Sequence, residues 1–163
     1  MTKHSDEGTL FRSMKFTDWP TVKEALISKD IGGVFILAPM AMRLVADGVP
    51  IKVVYLGRRD GTGIVVGKDA PIYDCEDLRG KVVAIPSRYA NQNILMHKMM
   101  DEWGMPYDSI DLREVPPPEH PTALRAGAID AYIVGEPFAA MAEVEGFGRV
   151  LYHTKDIWPE FIS

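Results

Sequence analysis

The chain has 163 residues, of which 47% are hydrophobic and 25% charged, as is typical of one ordinary globular domain or two small ones. A net charge of −5 and the lack of any run of Lys or Arg argue against a nucleic-acid binder. The longest nearly uncharged stretch, residues 31–42, is shorter than the about 20 residues that span a bilayer, and Cys75 as the only cysteine excludes an intrachain disulfide.

The first third of the sequence predicts helices and strands in alternation. The predicted elements are a helix up to about residue 29, a strand at 34–37, a helix from 38 to about 46, a strand at 51–56 and a glycine-rich loop at 57–63. Residues 34–37 form a short, uninterrupted apolar run, which is typical of a strand buried on both faces. Pro39 follows this run at a position where a helix tolerates proline, in its first turn.

The rest of the chain continues the alternation with more regular spacing. The predicted strands are 64–66, 82–85, 112–115, 131–134 and 149–152, and the predicted helices are about 89–103, 119–126 and 136–145. Strands that alternate with helices at this spacing indicate a mostly parallel sheet covered on both faces. We expect the chain to divide near residues 64–68, where two glycines bracket a strand.

Residues 25–54 and 123–152 are two copies of one pattern, 98 positions apart without a gap. The identical pairs include Ala25 with Ala123, Pro39 with Pro137, and Gly48 with Gly146. Each copy predicts the end of a helix, an apolar strand, a proline, a second helix and another strand. A duplicated α/β unit suggests two similar lobes, which would enclose a cleft between them.

Three segments carry a family resemblance: residues 74–86 (DCEDLRGKVVAIP), 87–93 (SRYANQN) and 123–138 (ALRAGAIDAYIVGEPF). Together they resemble the substrate-binding proteins of bacterial ABC importers of the nitrate/sulfonate/bicarbonate/taurine type. This resemblance implies an α/β, type II periplasmic-binding-protein-like fold of two lobes with mostly parallel sheets. Since members of that family are roughly twice as long, it also implies a first lobe that is truncated at both ends. We expect residues 1–66 to form this partial first lobe, 67–152 the second lobe, and 153–163 a segment that returns toward the first.

The resemblance also implies the function: a solute-binding component of an ABC import system. Such a protein holds a small anionic or zwitterionic solute between its lobes and presents it to a membrane permease. It needs neither catalysis nor a cofactor or metal. The resemblance implies a periplasmic or lipoprotein-anchored location, although residues 1–20 contain charged side chains and no apolar secretory segment.

Two alternatives stay open. The pyrimidine-precursor synthases of thiamine biosynthesis resemble the same family, but they carry a cysteine-rich motif, and this chain has only Cys75. The other alternative is a sensory or degenerate binding domain that keeps the fold without transport. Ligand identity is not readable from the sequence.

The strongest candidate site is the predicted start of the helix after residue 86. Free N–H groups and the helix dipole favour an anion at such a position. Ser87, Asn91 and Gln92 would add hydrogen-bonding side chains, Tyr89 an aromatic wall and Arg88 a counter-charge. The alternative is that Ser87 is only the N-cap residue of a helix whose first turn faces solvent.

Two further sets of candidate residues occupy equivalent positions in the two copies of the repeat. Ala38, Pro39 and Met40 would line the first lobe's side of the cleft, and Glu136 and Pro137 the second lobe's side. Glu136 would contact a cationic group of the ligand or a hinge partner, or simply complement the helix dipole.

The remaining motifs give weaker signals. Asp60-Gly61-Thr62 lacks the flanking residues of a phosphate-transfer or aspartic-protease motif, so the glycine-rich loop is either at the cleft mouth or a plain connector. We interpret His120 as a surface or capping residue rather than a ligand contact. His97 and His153 have no partners at metal-ligand spacing, which argues against a metal site.

The incomplete first lobe leads to a last expectation. An unpaired sheet edge and an uncovered apolar face recruit partners. We therefore expect the chain alone to self-associate through the first lobe or to aggregate, and to bind ligand weakly.

Overall fold

The computed structural model describes residues 12–55, 57 and 61–159, which contain six α-helices and five β-strands. The helices are α1 (Trp19–Ile27), α2 (Ala38–Ala46), α3 (Asn91–Glu102), α4 (His120–Arg125), α5 (Phe138–Val144) and α6 (Thr154–Ile157). The strands are β1 (Thr62–Gly67), β2 (Val82–Ile85), β3 (Asp111–Glu114), β4 (Ala131–Gly135) and β5 (Gly148–His153). Short 3-10 turns lie at Glu76–Leu78, Tyr107–Ser109 and Pro117–Glu119. Among the residues just given, no helix is long and apolar enough to cross a membrane.

The five strands form one sheet in the order β3-β2-β4-β1-β5. β2 is parallel to its neighbours β3 and β4, whereas β1 is antiparallel to both β4 and β5. The α/β class is therefore confirmed. Of the five strands, β2, β3, β4 and β5 run in one direction and β1 runs against them, so the sheet is mostly parallel in strand direction but mixed in its pairings. β1 is inserted between β4 and β5, with Thr62 opposite Gly135.

Both faces of the sheet are covered, and the side chains of β1 show how. Ile64 and Val66 belong to one apolar cluster, and Val65 between them belongs to the other. The first cluster includes the apolar side of α3, with Met96, Met99 and Met100 fully buried or nearly so, and the second includes residues of α4 and α5. Because successive strand residues point to opposite faces, the uninterrupted apolar runs of the sequence fill both layers.

Two strands predicted in the first third of the chain are wrong. Residues 34–37 and 51–55 form no strand, and the Phe35 side chain is 72% exposed; Leu56 and the loop residues 58–60 lie outside the described residues. A strand needs a neighbour that pairs its N–H and C=O groups, and no described residue pairs with either segment. An apolar run alone does not provide that partner.

The helical half of the repeat is confirmed. α2 begins at Ala38 with Pro39 in its first turn, and α5 begins at Phe138, directly after Pro137. Two residues after the last residue of each helix lies a glycine with positive φ, 84° at Gly48 and 72° at Gly146. Among the described residues, the two strands of the repeat exist only in the second copy, as β4 and β5.

Residues 12–55 form their own local structure. Met40, Ala41 and Leu44 are the buried residues of α2, yet neither of the two apolar clusters on the sheet includes any of them. No hydrogen bond between described residues joins 12–55 to 61–159. The division of the chain into lobes at residues 66 and 152 stays a prediction.

Candidate ligand site at the carboxyl ends of the strands

The parallel strands β2, β3 and β4 end at one edge of the sheet, at Ile85, Glu114 and Gly135. Thr62 also lies at this edge, because β1 runs in the opposite direction and begins opposite Gly135. Open α/β sheets bind their ligands at the carboxyl ends of parallel strands. We call this edge, with the chain segments that leave it, the polar edge.

The segment between β2 and α3 forms a tight, hydrogen-bonded turn at the polar edge. The Arg88 N–H donates to Glu114 Oε1 over 2.5 Å, and the Tyr89 N–H donates to Ser87 Oγ over 3.2 Å. α3 therefore begins at Asn91, two residues later than predicted, with Ala90 as an N-cap that offers no side-chain hydrogen bond. The interpretation of Ser87 as the N-cap residue is wrong, since its hydroxyl binds an N–H within the turn.

Asn91 and Gln92 are buried although both are polar, with only 1% and 6% of their surfaces exposed. Gln92 Nε2 donates to Thr62 Oγ1 over 3.3 Å, which joins the first turn of α3 to the start of β1. Asn91 Oδ1 and Gln92 Oε1 accept no hydrogen bond. An unpaired buried polar atom costs about 1–3 kcal/mol. These two oxygens are therefore strong candidates for contact with a bound molecule.

Asn93 and Tyr107 stabilise the turn between β2 and α3 through a second set of hydrogen bonds. Asn93 Nδ2 donates to the Arg88 carbonyl oxygen over 2.9 Å, and Tyr107 Oη donates to Asn93 Oδ1 over 2.6 Å. The Tyr107 ring in turn stacks on His97, with ring centroids 3.4 Å apart. This support could not be predicted from the sequence, because the turn and Tyr107 lie on separate segments.

Thr62 is a candidate site residue that sequence reasoning missed. Its hydroxyl accepts from Gln92, and its carbonyl oxygen accepts from Thr154 Oγ1 over 3.0 Å. Both threonines are buried. In the sequence Thr62 belongs only to an enzyme motif that lacks its flanking residues, whereas its contacts here depend on pairing between distant segments.

His120 is completely buried, so its interpretation as a surface residue is wrong. Its Nε2 lies 2.8 Å from the carbonyl oxygen of Val115, whose own N–H donates to Ile85 at the end of β2. The ring also lies against Tyr132, with centroids 5.4 Å apart. Burial lowers the pKa of His120 to about 4, although the hydrogen bond to Val115 opposes this shift. The imidazole is therefore neutral near pH 7.

Glu136 lies at the polar edge, and both its backbone N–H and its carboxylate make hydrogen bonds. Its N–H donates to the Gly61 carbonyl oxygen over 2.8 Å, and its Oε2 accepts from the Ala140 N–H over 2.9 Å, within the first turn of α5. Of the roles predicted for this carboxylate, complementing the helix start is the one for which the structure provides a contact. Pro137 follows as the residue before α5.

The structure thus brings some of the predicted site residues together and leaves others apart. Ser87, Arg88, Tyr89, Asn91, Gln92, Glu136 and Pro137 lie on segments that leave the ends of β2 and β4, which are neighbours in the sheet. Arg88 and Tyr89 are exposed there. Ala38, Pro39 and Met40 lie at the start of α2, where no described hydrogen bond connects them to the polar edge. A ligand-binding role stays a prediction for all ten residues.

Metal-ligating side chains do not gather in the part of the chain that the structure describes: no three His, Cys, Asp or Glu residues could hold an ion together. Cys75 is buried, with its Sγ 3.5 Å from Met105 Sδ. Burial raises the pKa of this thiol to about 11, so it is protonated near pH 7 and packs as an apolar group.

Two curated relatives have names that describe import or solute binding. The chain is 27% identical to the nitrate import ATP-binding protein NrtC of Synechocystis sp. over 163 residues, which are 89% of this chain and 24% of that protein. It is 25% identical to a putative aliphatic sulfonates-binding protein of Escherichia coli over 150 residues, 88% of this chain and 46% of the relative. The chain therefore spans about a quarter of the first protein and just under half of the second.

Solved structures agree with the fold. The ligand-binding component of an ABC-type import system from Staphylococcus aureus is 30% identical and superposes with a TM-score of 0.82, over 91% of this chain and 52% of that one. Structures with this fold include periplasmic binding proteins for nitrate and for aliphatic sulphonates. The model of the NMT1-like family matches residues 2–162, and the chain belongs to that family.

Proposed function

We propose that this chain acts as a solute-binding component of an ABC import system and holds a small anionic or zwitterionic solute at the polar edge. The observation that carries the proposal is the start of α3. There, two buried amide side chains with unpaired oxygens lie in the first turn of a twelve-residue helix. The N–H groups and the dipole of such a turn favour an oxyanion, and the unpaired amide oxygens would accept hydrogen bonds from a donor group of a zwitterionic solute.

In this proposal the protein binds the solute and then closes around it. The residues at the start of α2, Ala38, Pro39 and Met40, would meet the polar edge from the opposite side when the two parts of the chain close on the solute. The closed form would then be recognised by a membrane permease, because only closure distinguishes the loaded protein from the empty one. No catalytic step is needed. The names of the relatives support this reading, since they describe import and binding.

A second candidate is a sensory binding domain. It is favoured by one observation: the match to the nitrate import ATP-binding protein covers only 24% of that protein, so a unit like this chain occurs as part of an ATPase. Such a domain would bind the same class of solute and pass the signal to the transporter. Pull-down with permease and ATPase subunits from the same organism distinguishes the two: a solute-dependent complex with the permease supports delivery, and one with the ATPase supports sensing.

Two further proposals concern the surroundings of the protein. We place it in the periplasm or on a lipid anchor, as its family resemblance implies. We also propose that copies associate through residues 12–55, where large apolar side chains such as Phe35, Met42 and Val54 are exposed.

Isothermal titration calorimetry with nitrate, bicarbonate and ethanesulfonate tests the proposed function. We expect heat from at least one of the three, with competition between any two that bind. The absence of binding by all three, and by 2-aminoethanesulfonate, would contradict a role in the recognition of small oxyanions.

A further inference from the structure

We infer that His120 and Tyr132 are positioning residues for the candidate site, although they lie on the opposite face of the sheet from α3. From that face the two side chains hold two chain segments of the polar edge, the turn after β2 and the start of α5. This inference rests on the proposed function and adds two residues that support the site without contacting the solute. We call His120 and Tyr132 the buried pair.

His120 holds the turn after β2 through the end of β3. Its Nε2 lies 2.8 Å from the Val115 carbonyl oxygen. Since a carbonyl oxygen only accepts, the Nε2 of the neutral ring carries the hydrogen and donates it. The Val115 N–H donates to the Ile85 carbonyl oxygen over 3.0 Å, before the turn. The preceding residue, Glu114, accepts from the Arg88 N–H over 2.5 Å, within the turn. His120 therefore fixes one of two consecutive residues that bind this turn.

Tyr132 holds the start of α5. It is completely buried in β4, where it lies opposite Ala84 of β2, and its hydroxyl donates to the Phe138 carbonyl oxygen over 2.9 Å. Phe138 is the first residue of α5 and directly follows Glu136 and Pro137. Burial, and next the charge of Glu136, raises the pKa of Tyr132 to about 12. The phenol is therefore protonated near pH 7 and available as a donor.

Contact between the two rings joins these anchors. The ring centroids of His120 and Tyr132 are 5.4 Å apart, and the ring planes are inclined by 46°. Aromatic rings attract each other in tilted arrangements at this separation. His120 Nδ1 is buried without a hydrogen-bond partner, a cost that an apolar side chain would avoid. The hydrogen bond donated by Nε2 is therefore what distinguishes this imidazole from an apolar core residue.

The first copy of the repeat provides an internal comparison, because the offset of 98 positions pairs Val22 with His120 and Val34 with Tyr132. Val22 is the buried residue of α1, as His120 is buried at the start of α4. A helix of this repeat thus packs with an apolar side chain at the position of His120, so the helix itself does not require a polar one. The polar pair occurs in the copy that adjoins the turn after β2, which supports a role at that turn.

Substitutions that remove one hydrogen bond each test the inference. His120→Leu keeps the approximate volume and removes the donor to Val115, and Tyr132→Phe removes only the hydroxyl that binds Phe138. The probe is whichever of nitrate, bicarbonate, ethanesulfonate and 2-aminoethanesulfonate binds the unmodified chain most tightly in calorimetry at pH 7. Each substitution should weaken its binding about threefold to tenfold, the scale of one neutral hydrogen bond. His120→Gln, which can still donate to Val115, should restore most of the affinity.

Amide hydrogen exchange measured by NMR distinguishes positioning from general destabilisation and needs no solute. His120→Leu should speed the exchange of the Arg88 N–H, and Tyr132→Phe that of the Ala140 N–H in the first turn of α5. Amides in the middle of α3, on the other face of the sheet, should keep their rates. Ile129→Val is the control, because it removes one methyl group from the same apolar cluster and should change neither the affinity nor these two rates. Tyr132→Phe keeps the ring, so it decides the inference even if His120→Leu does not fold.

The outcomes separate this inference from the proposed function. Local acceleration of exchange together with weaker binding supports the buried pair as positioning residues. Acceleration by one factor throughout the chain, or none at Arg88 and Ala140, would overturn it. Local acceleration with unchanged affinity would also overturn it, because the segments that the pair holds would then not form the site. If the unmodified chain binds none of the four probes, the proposed function fails, and the exchange rates alone decide whether the pair holds the two segments.

Discussion

Lys29 and Gly127 occupy the same position in the two copies of the repeat and share a left-handed backbone, with φ of 66° and 70°. The hydrogen bonds that precede them also correspond. Ser28 donates to Glu24 as Ala126 donates to Thr122, and Lys29 donates to Leu26 as Gly127 donates to Leu124. The 98-residue repeat therefore extends beyond sequence identity to the conformation of individual helix ends.

This equivalence predicts opposite effects for two substitutions. A residue with a side chain is destabilised by about 1–2 kcal/mol when its backbone is left-handed. Glycine avoids this cost but loses more conformational entropy on folding, which offsets part of the difference. Lys29→Gly should therefore raise the free energy of unfolding by up to about 1 kcal/mol, and Gly127→Ala should lower it by about 1 kcal/mol. Urea denaturation followed by circular dichroism measures both. Changes of the same sign would show that the two helix ends are not equivalent.

Gly148 is required for close packing at the start of β5. A Cβ atom there would lie 2.8 Å from the Ala142 Cβ and 2.9 Å from the Val66 carbonyl oxygen. Gly148→Ala should lower the free energy of unfolding by about 1–3 kcal/mol, because β5 or α5 must move to admit the methyl group. Gly32→Ala is the control, since a Cβ at Gly32 meets no atom within 4 Å. Equal effects of the two substitutions in thermal unfolding would contradict this account of the packing.

Local patterns predicted some elements well and others not at all. The apolar runs that became β2 and β4 were recognisable because strands buried on both faces have no polar positions. The similar run at residues 34–37 gave the same signal, but pairing with a neighbouring strand decides the outcome, and no such pairing is described. The direction of β1 was equally inaccessible, since it depends on which strands it meets, β4 and β5.

The candidate site shows the same limit. The helix start after β2 could be predicted from the order of strand, turn and polar residues. The contact between Gln92 and Thr62 spans 30 positions, and the burial of His120 depends on Tyr132 and Val115. The residues next to His120, three prolines and a glutamate, do not indicate that its side chain is buried. The sequence therefore predicted a surface or capping position.

His120 should make stability depend on pH. Its pKa falls from the ordinary value of 6.5 to about 4 on folding, so the unfolded chain binds more protons between these pH values. The free energy of unfolding is therefore highest above pH 6.5 and should fall by up to about 3 kcal/mol as the pH decreases to 4.

His120→Gln isolates this contribution, since glutamine can donate to Val115 and does not titrate. Urea denaturation of both proteins at pH 7, 5.5 and 4 should show a smaller loss in the variant. Parallel losses would show that His120 does not contribute to the acid sensitivity.

The two buried amides should contribute to ligand affinity. Replacement of both in Asn91→Ala/Gln92→Ala should weaken binding of the tightest of the tested oxyanions by at least about 1–3 kcal/mol, the scale of lost buried hydrogen bonds. The fold should persist, because each substitution removes a buried oxygen that has no hydrogen-bond partner, although Gln92→Ala also removes the hydrogen bond to Thr62. Calorimetry measures the affinity, and Ser109→Ala, on a 3-10 turn away from the polar edge, is the control. Unchanged affinity in the double variant removes both residues from the site.

Self-association should depend on the exposed apolar side chains of residues 12–55. Phe35 and Val54 are 72% and 91% exposed, and Met42 and Tyr55 are similarly accessible. Large exposed apolar side chains recruit partners where they form a common patch. Light scattering at rising protein concentration should therefore show dimers or larger species, and Phe35→Ser/Val54→Ser should shift the distribution toward monomer.

Val144→Ser provides the matched control, because Val144 is also exposed, at 85%, but lies on α5 beside the sheet. This substitution should leave the distribution unchanged, since it removes apolar surface of similar accessibility outside the segment that we propose to associate. The same shift in both variants would assign association to general hydrophobicity. A chain that stays monomeric at every concentration and binds an oxyanion at micromolar affinity or better would show that residues 12–55 need no partner, and that the polar edge forms a competent site without one.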